Sequence, residues 1–131
     1  MQIERIDHFT IVAQPAEIER LCEFYCTVLG LAPGPRPDFK FDGYWLYPPT
    51  GGPLVHLAGI TSRALPEGPH GTGKLDHISF RSTGLHEFRL HLEALGIAAQ
   101  EAPVPGFPLH QIFFSDPVGI KVELTFDAAE L

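Results

Sequence analysis

The amino-acid sequence predicts an α+β fold built from two tandem βαβββ modules, and three observations carry that expectation. Leu75-Asp76-His77-Ile78-Ser79-Phe80 repeats Ile6-Asp7-His8-Phe9-Thr10-Ile11 in the same polar and apolar order. Each copy is followed by a stripe of helical period that closes on a glycine, in Leu29-Gly30-Leu31-Ala32 and in Leu95-Gly96-Ile97-Ala98. The spacing then stays nearly constant. His77 lies 69 positions after His8, Gly96 66 after Gly30, Pro117 and Gly119 68 after Pro49 and Gly51, and Glu123 67 after His56. A drift of at most three positions is what small loop insertions allow, so the chain reads as one structural unit used twice.

Residues 3–13 alternate in polarity and predict the first strand, with Phe9 and Ile11 on one face and His8 and Thr10 on the other. Pro15 suits the first turn of a helix, and Glu17 and Glu19 suit its positive end. Ile18, Leu21, Cys22, Tyr25, Val28 and Leu29 then form an amphipathic stripe that Gly30 stops. Pro33, Pro35 and Pro37 restrict any strand between Ala32 and Asp38 to a short edge. Tyr44-Trp45-Leu46-Tyr47 is an aromatic strand, Pro48 to Pro53 a turn, and Leu54-Val55-His56-Leu57-Ala58 the returning strand. This first module is expected over residues 1–59. A glycine- and proline-rich linker without periodicity follows over 60–74, holding His70 as a solvated loop histidine.

The second module, 75–131, repeats the order. After Leu75–Phe80 come a helix with Leu85, Phe88, Leu92 and Leu95 on its inner face, a short strand within Ile97–Pro103, and a strand at Gln111–Phe114. His86 and His91 fall on the outer face of that helix. The turn Ser115-Asp116-Pro117-Val118-Gly119 leads into a last strand with Ile120, Val122, Leu124 and Phe126 inward and Lys121, Glu123 and Thr125 outward.

A chain of 131 residues with 44% hydrophobic and 19% charged residues is long enough for a core without staples. Its formal charge of −7, with arginines and lysines scattered singly, excludes a phosphate-backbone footprint, so no nucleic-acid partner is expected. No apolar run reaches the ~18 residues of a membrane span, and Met1 to Arg5 has no leader-like apolar segment, so no membrane partner and a cytoplasmic location are expected. Cys22 and Cys26 sit four apart on a helix, where side chains run side by side, so reduced thiols are expected in place of a disulfide.

The equivalent strands present His8, His77, His56 and Glu123, all opposite the apolar faces. Such a face is either simply wet, as an antiparallel sheet allows, or a metal site, since imidazole and carboxylate are the usual ligands of first-row divalent ions. Placement of three imidazoles and a carboxylate at two pairs of equivalent positions favours the metal site.

Ile6-Asp7-His8-Phe9-Thr10, Phe24-Tyr25 with Val28-Leu29-Gly30-Leu31, Leu75 to Phe80, and Phe113 to Leu124 together make the chain resemble the vicinal oxygen chelate superfamily. That superfamily includes glyoxalase I, methylmalonyl-CoA epimerase, extradiol dioxygenases, and the fosfomycin and bleomycin resistance proteins. The resemblance spans the whole chain. It implies a glyoxalase-like fold, in which the modules form a curved mixed sheet with helices on the outer face, and a homodimer. It also implies one divalent transition metal per site (Fe, Mn, Co, Ni or Zn). His8, His77 and Glu123 match the metal-bearing positions of the first, fifth and eighth strands. His56 matches the fourth-strand position, which is a ligand in glyoxalases and epimerases and an acid–base histidine in extradiol dioxygenases.

The function expected on that resemblance is a metal-dependent lyase or isomerase. Its small substrate would chelate the ion through adjacent oxygens and pass through a metal-stabilised enolate, with Glu123 or His56 as the base. Val55-His56-Leu57-Ala58 replaces the Glu-Leu-Thr run usual in glyoxalase I, which argues against a glutathione substrate. An Fe(II) extradiol dioxygenase is the alternative, but Phe113 stands where those enzymes carry a hydrogen-bonding tyrosine. A fosfomycin-type transferase would need a basic pocket, whereas Leu124 to Leu131 is acidic. From another class comes a non-catalytic binder of drugs or metabolites, with Tyr44, Trp45, Tyr47, Phe107 and Phe113 lining a groove.

Overall fold

The computed structural model describes residues 1–62, 64, 65 and 70–131, and within them the chain separates into two compact units, Met1–Glu67 and Gly68–Leu131. The first holds β1 (Phe9–Ala13), a 3-10 turn (Pro15–Glu17), α1 (Ile18–Leu29), β2 (Ala32–Gly34), β3 (Gly43–Tyr47) and β4 (Val55–Gly59). The second holds β5 (His77–Arg81), α2 (Leu85–Ala94), β6 (Gln100–Pro103), β7 (Leu109–Ser115), β8 (Lys121–Asp127) and a closing 3-10 turn (Ala128–Glu130). Each is therefore β-α-β-β-β, as the repeat predicts. Each forms its own four-stranded mixed sheet, in the order β1-β4-β3-β2 in one and β5-β8-β7-β6 in the other. In both, the first strand runs parallel to the fourth and the other pairings are antiparallel.

Local chemistry explains the helices. Pro15 opens the turn into α1, and Glu17 Oε2 accepts the backbone N–H of Gln14 at 3.1 Å, fixing the entry. Ile18, Leu21, Cys22, Tyr25 and Val28 are the buried stripe, and Gly30 ends the helix at φ 67°, a conformation that costs glycine little. Cys22 and Cys26 are free thiols; burial, with Cys26 beside it, pushes the Cys22 thiol up to about 12. α2 begins at Gly84, which has no side chain to cap it. Glu130 does this instead, its Oε2 accepting the N–H groups of Gly84 at 2.6 Å and Leu85 at 3.0 Å.

The cores lie between each helix and its sheet. Val55 and Leu57 of β4 are fully buried, and a Cβ added at Gly59, on the same strand face, would meet Ile18 of α1. In the second unit Val122, Leu124 and Phe126 are buried, with Phe126 edge-on to Phe88 of α2 at 5.7 Å. His56 and Glu123 therefore lie on the opposite faces of their sheets.

One expectation is corrected. The first strand begins at Phe9, not Ile3: residues 1–8 are exposed, and the ladder with β4 starts at Phe9↔Val55. Alternation alone does not supply a pairing partner. Of the expected linker, positions 63 and 66–69 lie outside the described residues. His70 is exposed, as expected for a solvated loop histidine, but its backbone N–H donates to Val118 O at 2.8 Å.

Candidate functional site

Strand register places the donors and shows which positions of the two modules correspond. In the first sheet Thr10 pairs with His56, and Trp45 with His56; in the second Ser79 pairs with Glu123, and Phe113 with Glu123. His8 stands one residue before Phe9, which faces Val55, and His77 one before Ile78, which faces Val122. His8 thus corresponds to His77, and His56 to Glu123, as the spacing suggests. By the same register, Leu54 takes the place of Lys121, Gly43 that of Gln111, and Ala58 that of Thr125.

The second module brings His77 and Glu123 together. His77 Nε2 and Glu123 Oε2 face each other at 3.3 Å, with Glu123 only 5% exposed. The remaining donor and acceptor atoms are occupied. His77 Nδ1 is 2.8 Å from Asp76 Oδ2, and Lys121 Nζ donates to the same oxygen at 2.7 Å. The Lys121 hydrogen bond first, then that from His77, holds the Asp76 carboxyl below its ordinary value, so it is ionised. An ionised Asp76 accepts from Nδ1–H, which leaves the lone pair on Nε2. Glu123 Oε1 accepts three hydrogen bonds, from Ser79 Oγ at 2.5 Å, Gln111 Nε2 at 2.8 Å and Thr125 Oγ1 at 2.8 Å. An imidazole lone pair and a carboxylate oxygen so arranged attract a cation between them, or share the proton of an imidazolium. Two ligands each bound at about 2.1 Å and subtending roughly 90–110° lie about 3.0–3.4 Å apart. The observed separation fits a metal edge.

The first module is built differently. His8 Nδ1 is likewise 2.8 Å from Asp7 Oδ2, but among the described residues no lysine braces Asp7, Leu54 holding the position that corresponds to Lys121. His56 lies in a three-ring stack, with His8 at 3.9 Å and 14° on one side and Trp45 at 4.1 Å and 11° on the other. It is 8% exposed, and its Nε2 is buried without a hydrogen-bond partner. Burial, and then the neighbouring His8, holds its pKa below the ordinary imidazole value, so the ring is neutral at pH 7. A metal lies close to the plane of an imidazole that binds it. Planes only 14° apart meet far outside any coordination sphere, so the stacked His8 and His56 do not converge on one ion. Among the described residues no single cluster gathers three or more His, Cys, Asp or Glu side chains around a common point.

The proposed aromatic groove divides by strand alternation. Trp45 and Phe113 lie on the donor faces, Phe113 edge-on to His77 at 6.4 Å. Tyr44 shares the face of the buried Leu46, and its hydroxyl donates to Glu19 of α1 at 2.6 Å, which with burial lifts its pKa to about 12. The Tyr47 hydroxyl donates to Pro35 O at 2.6 Å, and Phe107 is exposed. An open cavity of about 920 Å³ adjoins the donor face of the second sheet, with Gln100, Phe113, Ser115 and Lys121 along it.

Sequence reasoning missed the residues that hold the donors, namely Asp76, Lys121, Ser79, Gln111 and Thr125. The signal for Asp76 was present, since Asp precedes His in both copies, and Lys121 and Thr125 share the alternation of Glu123. Gln111 carried no signal until register set it opposite Thr125. His110 also escaped notice; it is buried on the core face of β7, with Nε2 2.7 Å from Glu101 Oε2.

Two βαβββ modules of the same strand order, each presenting a histidine and a second donor on the face away from its helix, define a glyoxalase-like α+β protein. Residues 5–124 match the Glyoxalase/Bleomycin resistance protein/Dioxygenase superfamily, and the chain belongs to it. Among solved structures it is similar to a Bacillus anthracis protein assigned to the glyoxalase family, with 23% identity, TM-score 0.75, and 97% of this chain and 98% of that one covered. It is also similar to lactoylglutathione lyase from Agrobacterium tumefaciens (21%, 0.69, 96% and 96%) and to an antibiotic-binding protein from Streptomyces (18%, 0.68, 97% and 98%). At these identities the likeness establishes the fold alone. No curated protein matches the chain. Members of the superfamily bind small molecules, and among the described residues no helix is long and apolar enough to cross a membrane.

Proposed function

We propose that the protein is a divalent-metal-dependent lyase or isomerase whose small substrate presents two adjacent oxygens. The observation that carries this reading is the pair His77 Nε2 and Glu123 Oε2, 3.3 Å apart with their other polar atoms engaged elsewhere. His77 and Glu123 would hold the ion, and the resemblance to the superfamily implies His8 as a further imidazole ligand in a homodimer. When bound, such an ion supplies a Lewis acid for negative charge developing on a substrate oxygen.

The chain's own residues do the rest. Glu123 is tied by three hydrogen bonds at Oε1, so it serves better as a fixed ligand than as a mobile base. His56, neutral and with Nε2 unpartnered, is the better candidate to take a proton from the carbon next to a carbonyl and return it. Phe113 shields His77 edge-on and offers no hydroxyl to a catecholate, which weighs against ring cleavage. Lactoylglutathione lyase among the structural relatives is in keeping with a lyase.

One observation favours a second reading. His8 and His56 stack instead of converging, which suits a ligand-binding protein with an aromatic floor at Trp45. Hydrogen exchange separates the two. A panel of α-hydroxyketones, 2-oxoaldehyde hemithioacetals and 2-methyl-3-oxo-thioesters is incubated in D₂O with the metal-loaded protein and followed by ¹H NMR. The enzyme reading expects metal-dependent loss of the proton beside the carbonyl for at least one compound, and suppression of it in His56→Ala. Binding without exchange across the panel would support the binder.

A further inference from the structure

The two donor pairs correspond in register but not in surroundings. Around Glu123 stand Ser79, Gln111 and Thr125, all donating to Oε1, with the Ser79 and Thr125 hydroxyl oxygens 3.0 Å apart. Around His56 the corresponding positions are Thr10, Gly43 and Ala58. Glycine and alanine have no side-chain donor, and His56 Nε2 is buried with no hydrogen-bond partner among the described residues. The histidines differ in the same sense. Asp76 is pinned between His77 and Lys121, whereas Asp7 lacks that lysine, Leu54 occupying its position.

We infer that Ser79, Gln111, Thr125, Asp76 and Lys121 are positioning residues that make the second module the anchor of the metal centre, so that the ion's affinity is set there. This inference rests on the metal-binding reading above. The physical reason is preorganisation. A carboxylate free to rotate offers either oxygen, singly or as a pair, and loses that freedom on binding. Glu123 has already lost it: three donors saturate Oε1, and only Oε2 is left to face Nε2. The Asp76 contact fixes the tautomer of His77, and Lys121 Nζ holds the same Asp76 oxygen at 2.7 Å. Groups that orient metal ligands in this way contribute about 10–100-fold in affinity. His8 and His56 are held by stacking, which fixes ring planes without aiming two lone pairs at one point.

Co(II) tests this, because it substitutes for other divalent ions and its visible absorption reports coordination directly. The full-length protein is titrated with Co(II), and the dissociation constant and band shape are compared among the wild type, Gln111→Leu, Thr125→Val, Asp76→Ala and the first-module control Thr10→Val. Expected are a 10–100-fold rise in the dissociation constant for each of the first three variants, an altered band shape for Asp76→Ala, and a change of less than threefold for Thr10→Val. Thr125→Ser, which keeps the hydroxyl, should restore wild-type affinity; this, with circular dichroism to confirm folding, separates lost positioning from lost structure. Wild-type affinity in both Gln111→Leu and Thr125→Val, while His77→Ala abolishes binding, would overturn the anchoring role and leave the metal reading intact. A wild type that binds no Co(II) would overturn both.

Discussion

The turn between β7 and β8 sets the register that places Glu123 opposite Phe113 and Ser79, and a single carboxylate holds that turn. Asp116 is 5% exposed, and its Oδ1 accepts the N–H groups of Val118 and Ile120, both at 2.9 Å. Its own backbone adds Asp116 N–H to Ile120 O at 2.9 Å and receives Gly119 N–H at 3.1 Å. Asp116→Ala removes one buried acceptor from two donors. A hydrogen bond to a charged group is worth about 1.5–3 kcal/mol net, which would suggest roughly 3–6 kcal/mol for the pair. Val118 and Ile120 are half-buried, so water recovers part of this, and the expected loss is about 2–4 kcal/mol. Asp116→Asn keeps an acceptor in the same place but a neutral one, worth about 0.5–1.5 kcal/mol per bond, and should lose about half as much, roughly 1–2 kcal/mol. Urea unfolding followed by far-ultraviolet circular dichroism measures both, provided the slope is unchanged. An alanine variant as stable as the asparagine one would mean instead that the backbone alone fixes the turn.

Two further outcomes follow from the packing and the charges. A Cβ added at Gly43 would collide with the Leu57 carbonyl oxygen, so Gly43→Ala should force β3 from β4, cost about 1–3 kcal/mol, and shift the emission of Trp45, the only tryptophan; unchanged emission and midpoint would contradict the register. The Arg89 guanidinium, through three charge-assisted contacts from Nε and Nη2, holds the Glu101 carboxyl down to about 2, against the opposing effect of burial and with help from His110. Its folded-state value lies below the unfolded one, so the folded state binds fewer protons across that interval. The stabilisation is present above about pH 4.5 and is lost as pH falls toward 2. Urea midpoints measured from pH 6 to pH 2.5 should fall less steeply in Glu101→Gln than in the wild type, and parallel curves would contradict the assignment.

Much of the fold is legible in the sequence because the duplication repeats its own evidence. The His8 and His77 strands, the stripes ending at Gly30 and Gly96, and the alternation around Glu123 are local patterns, and each appears twice. The start of β1 was not legible, because residues 3–8 alternate as a strand does while only pairing with β4 decides where the ladder begins. The donors themselves were readable as positions, but the difference between their surroundings was not. Gln111 and Gly43 are 68 positions apart and look unrelated until β7 and β3 are aligned through their partners β8 and β4. Similarly, Trp45 and His8 reveal nothing in sequence of the stack they form around His56, because ring contacts depend on side-chain rotation as well as on register.

In the proposed function His77 and Glu123 hold a divalent ion. Metal content decides it most directly: the wild type and His77→Ala are stripped with chelator, soaked in turn with Fe(II), Mn(II), Co(II), Ni(II) and Zn(II), passed through a desalting column and assayed by plasma mass spectrometry. About one ion per chain is expected in the wild type for at least one metal, with a loss of ten-fold or more in His77→Ala. Equal, near-zero content in both proteins for all five metals would contradict it.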